Sequence, residues 1–138
     1  MPRFVVLTHD HPVLHWDFML EMGETLRVWR LSVPPSMLQA DATPVPDHRR
    51  AYLDYEGPVS GNRGRVTRWD SGEFEWIVDE PNEVSVRLAG GTLRGVARLV
   101  PRAEDPERGW SFQFEPLVDE PPVEPLVVEP PVRSSSST

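Results

Sequence analysis

The chain is predicted to be all-β: about eight short antiparallel strands with at most short helical turns, arranged as a barrel or a sandwich. Three observations predict it. Runs of period-two apolar alternation recur along residues 3–115, sixteen prolines leave no room for a long helix, and turn-forming residues separate the runs. Both architectures bury alternating faces and limit exposed edges, and the pattern alone does not choose between them.

The strands are expected, in order, at residues 3–8, 14–21, 25–32, 65–69, 73–78, 83–89, 93–100 and 110–115. Asp70-Ser71-Gly72 and Gly90-Gly91 tolerate positive φ, and each is expected to close a hairpin. Residues 34–47 carry Pro34, Pro35, Pro44 and Pro46 and read as a loop with one short helical turn near residues 36–40. From residue 116 onward, Pro-rich spacing and a terminal serine run offer no periodic apolar face. The expected organisation is one β domain, 1–115, followed by a disordered Pro/Glu/Ser-rich tail, 116–138.

Composition removes several function classes. With no cysteine, neither a disulfide framework nor a thiolate site can form, so any metal must be held by His, Asp or Glu. The start lacks the apolar region of a secretory signal and no stretch reaches the length of a membrane span, which predicts a cytoplasmic protein with no membrane partner. A net charge of -8 opposes nucleic-acid binding at first sight. Half of it, however, comes from the segment after Phe114, where five acids face one arginine. All fourteen basic residues are arginine, whose planar fork matches phosphate, and Arg49, Arg50, Arg63, Arg65 and Arg68 fall within twenty positions.

The most informative strand is Leu14-His15-Trp16-Asp17-Phe18-Met19-Leu20-Glu21. Alternation assigns Leu14, Trp16, Phe18 and Leu20 to the core and projects His15, Asp17, Met19 and Glu21 from the other face. His15 and Asp17 are therefore neighbours. His9 lies six positions before His15, across a turn containing Pro12 that can return it to the same place. A His, His, Asp set suits Mn²⁺, Zn²⁺ or Fe²⁺ and leaves positions open for water and substrate; the competing reading is an ordinary side-chain pair on a solvated face. A second cluster, Asp47-His48-Arg49-Arg50 followed by Tyr52, combines phosphate-binding charge with a proton donor; read alone it is a charged loop entering a strand.

Together these blocks resemble the 3'-phosphoesterase domain of bacterial DNA ligase D. The blocks are Arg3-Phe4-Val5, His9-Asp10, Leu14-His15-Trp16-Asp17 and Leu20-Glu21, then Asp47-His48, Tyr52 and Asp54-Tyr55-Glu56-Gly57. Trp69-Asp70-Ser71-Gly72-Glu73-Phe74 follows, and Leu88, Gly91, Leu93, Gly95 and Leu99 resemble the family's closing hairpin, with Trp110 opening the last strand. The similarity covers residues 3–115.

What the resemblance implies is a compact antiparallel β-barrel, closed or nearly closed, with a Mn²⁺-dependent site that removes a 3'-terminal ribonucleoside or 3'-phosphate from DNA ends during repair. By the same resemblance, His9, His15 and Asp17 are the metal ligands, His48 contacts the scissile phosphate as a general acid, and Tyr52 supports it; Asp17 and Glu21, on one strand face, are expected to order nearby water. DNA 3' ends would be the substrate, and a separate DNA ligase or polymerase chain the partner. The chain departs from the family at Met19, where a phosphate-gripping arginine is expected, at Pro46 and Val33, and in a shorter loop between Gly57 and Trp69. Arg50, Arg63 and Arg65 are the candidates to replace the arginine. The alternative is a non-catalytic module on the same barrel that binds DNA ends or a repair partner; a phosphoesterase acting on RNA or a small phosphorylated molecule is a third reading.

Overall fold

The computed structural model describes residues 1–117, which form one antiparallel sheet of nine strands. The strands are β1 (Arg3–His9), β2 (His15–Met22), β3 (Thr25–Leu31), β4 (Gln39–Arg49), β5 (Gly57–Pro58), β6 (Arg65–Glu80), β7 (Glu83–Gly90), β8 (Arg94–Pro101) and β9 (Trp110–Pro116). Helical structure among these residues is limited to two 3-10 turns, Pro35–Met37 and Arg50–Leu53.

Strand order is β1-β2-β3-β4-β9-β8-β7-β6-β5, and β1 also pairs with β6. That last pairing joins eight strands into a nearly barrel-like ring and leaves β5 outside it, attached to the start of β6. Aromatic side chains fill the ring: Phe18 meets Phe112 with centroids 5.5 Å apart and Trp29 meets Trp110 at 5.6 Å, contacts between strands that are not paired neighbours.

Alternation along β1 explains a second, smaller core. Phe4 and Val6 point into the ring, so Val5 and Leu7 point outward, yet all four are buried. The outward face of β1, β2 and β3 contributes Val5, Leu7, Met19, Leu26 and Val28, and Leu53, Tyr52, Val45, Val59 and Val66 pack over it. The 3-10 turn Arg50–Leu53 thus lays a partial second layer on the barrel. The outward face of β2, which the competing reading placed in solvent, is buried: His15, Asp17 and Met19 are 3%, 1% and 1% exposed. Leu14, expected in the core, is exposed.

Two further expectations need correction. Residues 39–49 are a strand and not a loop. Prolines survive there because Pro44 and Pro46 lie beyond Ala42, where the strand pairs with β3 alone; Gln39–Ala42 pair with β9, and Ala42 is where the two ladders overlap. An irregularity opposite Leu26 and Val28 spends one extra residue on β4 and re-aims His48.

Asp70-Ser71-Gly72, in turn, does not reverse the chain but lies within β6. An irregularity opposite Val6 and Leu7 absorbs Trp69, flipping the parity so that Val66 faces outward and Phe74 inward. Gly72 is there because a Cβ would stand 2.2 Å from the Ala89 carbonyl oxygen of β7. The Asp70 carboxylate accepts three peptide N–H groups, from Gly91 at 3.0 Å, Thr92 at 3.1 Å and Leu93 at 2.7 Å, tying down the β7–β8 turn that Gly90-Gly91 does close. At the C-terminal end, Pro116 still pairs with Gly95, and the Leu117 N–H donates to the Arg94 carbonyl. The expected tail beyond these two residues, 118–138, lies outside the described residues.

Candidate metal centre and active site

The β1–β2 hairpin builds the centre. Its ladder ends with His9 directly opposite His15, and Asp17 follows His15 on the same face, so three ligand-type side chains meet on the outer side of the barrel. One ligand atom from each lies within 4.8 Å of the others. Asp17 Oδ2 is 3.3 Å from His15 Nε2 and 3.8 Å from His9 Nδ1, and the two imidazoles stand edge to face with centroids 4.9 Å apart.

Peptide carbonyls decide which ring nitrogens face inward. A carbonyl oxygen only accepts, so His15 donates from Nδ1 to the Val13 oxygen (2.9 Å) and His9 donates from Nε2 to the Arg63 oxygen (2.8 Å). In the neutral rings this leaves lone pairs on His15 Nε2 and His9 Nδ1, both turned toward a carboxylate oxygen. Acceptors facing one another at these separations repel unless a cation or a proton lies among them. Ligands sharing one ion at about 2.0–2.2 Å stand roughly 3–4 Å apart, so the spacing and the donor set fit a borderline divalent metal.

The loop that supplies the Arg63 carbonyl is itself fixed by β1's end. The Arg65 N–H donates to Asp10 Oδ1 at 2.8 Å, and Gly64, at φ +77°, passes so close that a Cβ would lie 2.2 Å from that oxygen. His9-Asp10 therefore works as a pair, one residue at the centre and one holding the loop that orients it.

Beside the triad opens a cavity of about 360 Å³, lined by His9, His11, Pro12, Asp17, Met19, Arg30, His48, Tyr52, Val59, Arg63 and Val66. His48 donates from Nδ1 to the Pro46 carbonyl (3.0 Å), which leaves Nε2 unprotonated in the neutral ring. Tyr52 packs against it with ring centroids 5.7 Å apart and is in turn braced by Tyr55 at 5.9 Å. Two arginines and one carboxylate line the cavity, so it is locally cationic although the chain is acidic.

Of the other residues singled out in the sequence, Arg63 reaches the cavity, but its guanidinium is engaged with the Ser60 carbonyl (2.7 Å) and hydroxyl (3.2 Å). Glu21, Arg50 and Arg65 are not among the lining residues. Glu21 accepts from the Arg3 N–H (2.8 Å) and from Arg50 Nε (2.6 Å). Burial pushes the Glu21 carboxyl up, but those two donors and the arginine charges outweigh it and hold it below the ordinary glutamate value.

Arg30 was not anticipated. It sits opposite Asp17 in the β2–β3 ladder, with Nε 3.6 Å from Asp17 Oδ1. Its only signal in the sequence is parity within β3, which is uninformative until the register with β2 is known.

Residues 7–101, a stretch containing the triad, Arg30, His48, Tyr52 and Arg63, match the family described as DNA Ligase D 3'-phosphoesterase domain. The chain is also 33% identical over 110 residues to the multifunctional non-homologous end joining protein LigD of Pseudomonas aeruginosa. That similarity covers 71% of this chain and 13% of the relative, so the chain spans a small part of the relative's length. On this match, and with the all-β ring around it, the chain belongs to the DNA ligase D 3'-phosphoesterase domain family.

Proposed function

We propose that the protein is a metal-dependent phosphoesterase that trims DNA 3' ends, removing a terminal ribonucleoside or a 3'-phosphate and leaving a 3'-hydroxyl. The observation that carries the reading is the convergence of His9 Nδ1, His15 Nε2 and Asp17 Oδ2 beside a cationic cavity that also contains His48 and Tyr52.

His9, His15 and Asp17 would hold the ion, Mn²⁺ in this proposal. The chemistry such an ion supplies is polarisation of a phosphoryl oxygen and activation of water near neutral pH. Protein groups do the rest. With Nδ1 committed to Pro46, His48 presents Nε2 to the cavity, where in its protonated form it donates to a phosphate oxygen or to the departing oxygen. Tyr52 limits rotation of that ring. Glu21 with Arg50, and Arg65, are given no contact with the reacting phosphate, because they do not line the cavity. The 3'-hydroxyl product is what a DNA ligase or polymerase consumes, so a separate chain of that class is the proposed partner, and the cytoplasm the proposed place of action.

The test is to incubate purified protein with Mn²⁺ and primers ending in a ribonucleotide or a 3'-phosphate. Conversion to 3'-hydroxyl ends that stops on chelation is expected. Saturable, end-dependent binding with no turnover would replace the enzyme by an end-binding module.

A further inference from the structure

We propose that Arg30 is the guanidinium that grips the substrate phosphate, a role resting on the phosphoesterase reading above. At Met19, where the family resemblance leads one to expect an arginine, the side chain is apolar, 1% exposed and packed into the second core with Val5 and Val28 across the neighbouring strands. No charge is available from that position.

Arg30 is one step away on the next strand. Paired residues of an antiparallel ladder share a face, so its side chain leaves the sheet beside Asp17 and on the same side as Met19. The guanidinium is left incompletely bonded. Its Nε is buried without a hydrogen-bond partner, and so is Asp17 Oδ1, 3.6 Å away; charge attracts the two atoms, but the separation is too long for a hydrogen bond. The side chain as a whole is 40% exposed and lines the cavity, so the outer part of the fork is open to a ligand. Arg63, by contrast, spends Nε and one terminal nitrogen on Ser60, and Arg50 spends Nε on Glu21. An anion with two or more oxygens in one plane, as a terminal phosphate presents, can accept from both terminal nitrogens at the exposed end of the fork, while Nε stays beside Asp17.

The bland alternative is that Arg30 only offsets the buried charge of Asp17. Two measurements on wild type, Arg30→Gln and Arg30→Lys separate them, with circular dichroism to establish that each is folded. In chelator, where nothing turns over, fluorescence anisotropy compares a primer ending in 3'-phosphate with the same primer ending in 3'-hydroxyl. Wild type is expected to prefer the phosphate end, Arg30→Gln to lose that preference by about ten-fold, and Arg30→Lys, a point charge without the fork, to keep part of it. Calorimetric titration with Mn²⁺ is expected to show binding to Arg30→Gln as tight as to wild type or tighter. An unchanged phosphate preference in Arg30→Gln, or none in wild type, overturns the assignment. If wild type prefers phosphate ends through Arg30 yet never turns over with Mn²⁺, the enzymatic reading fails and the grip stands. If wild type turns over and Arg30→Gln does so with unchanged KM and kcat, the reverse holds.

Discussion

A histidine offers a metal whichever ring nitrogen its surroundings leave unprotonated, and for both His9 and His15 that choice is made by a peptide carbonyl. The arrangement makes Asp17 the hub of three interactions, two through Oδ2 and one through Oδ1 toward Arg30. At the other end of the same strand, Glu21 joins β1 to the 3-10 turn that covers the second core. Its folded-state carboxyl lies below the ordinary value of about 4.3, so its stabilisation is fully present above that value and is lost as the pH falls through the lower, folded one. Replacing Glu21 by Gln should lower thermal stability near neutral pH and flatten its decline as the pH falls below the ordinary glutamate value; equal declines in both proteins would show that Glu21 contributes nothing to acid sensitivity. His15 and Asp17 were legible as neighbours because i and i+2 on a strand share a face, and His9 because a turn containing Pro12 could return it to them. Arg30 was not, since its nearness to Asp17 exists only through the ladder between two strands.

The elements show where local signals mislead. Period two marked β1, β2 and β3 well because their inward residues, such as Phe4, Phe18 and Trp29, alternate with a distinct second set. It could not reveal that the second set is also buried, because the cover comes from Tyr52, Leu53 and Val59, far along the chain. Prolines hid β4, whose later half pairs on one side only. Asp70 and Gly72 carry turn chemistry but serve tertiary contacts, one accepting three N–H groups from the β7–β8 turn and the other admitting the β7 backbone. Asp70→Ala strands those three donors beside the barrel and should cost about 2–4 kcal/mol in denaturant unfolding, with Asp70→Asn intermediate. A loss below about 0.5 kcal/mol for Asp70→Ala would mean that the turn holds itself.

Across the whole molecule, the barrel interior and the site occupy opposite faces of the same three strands. The interior is aromatic and closed, with Phe18 against Phe112 and Trp29 against Trp110; the outer face carries the triad, the cavity and the covering turn. Truncating Phe112 to Ala should therefore destabilise the fold by about 3–5 kcal/mol. Below the unfolding transition it should leave metal affinity nearly unchanged, because the residue touches no ligand. Coupled losses would mean that the outer layer depends on interior packing more than the two separate clusters imply. The all-β class was readable from strand count and turns, and the barrel only from the family resemblance; its closure rests on β6 being long enough to pair with β5, β1 and β7 in turn, which the apparent turn at Asp70 concealed.

The central claim is one divalent ion shared by His9, His15 and Asp17, and calorimetric titration of Mn²⁺ into the folded protein and its variants addresses it directly. One ion per chain is predicted for wild type, with no measurable binding to Asp17→Ala or His15→Ala. Undiminished uptake by both variants, or none by wild type, would contradict it.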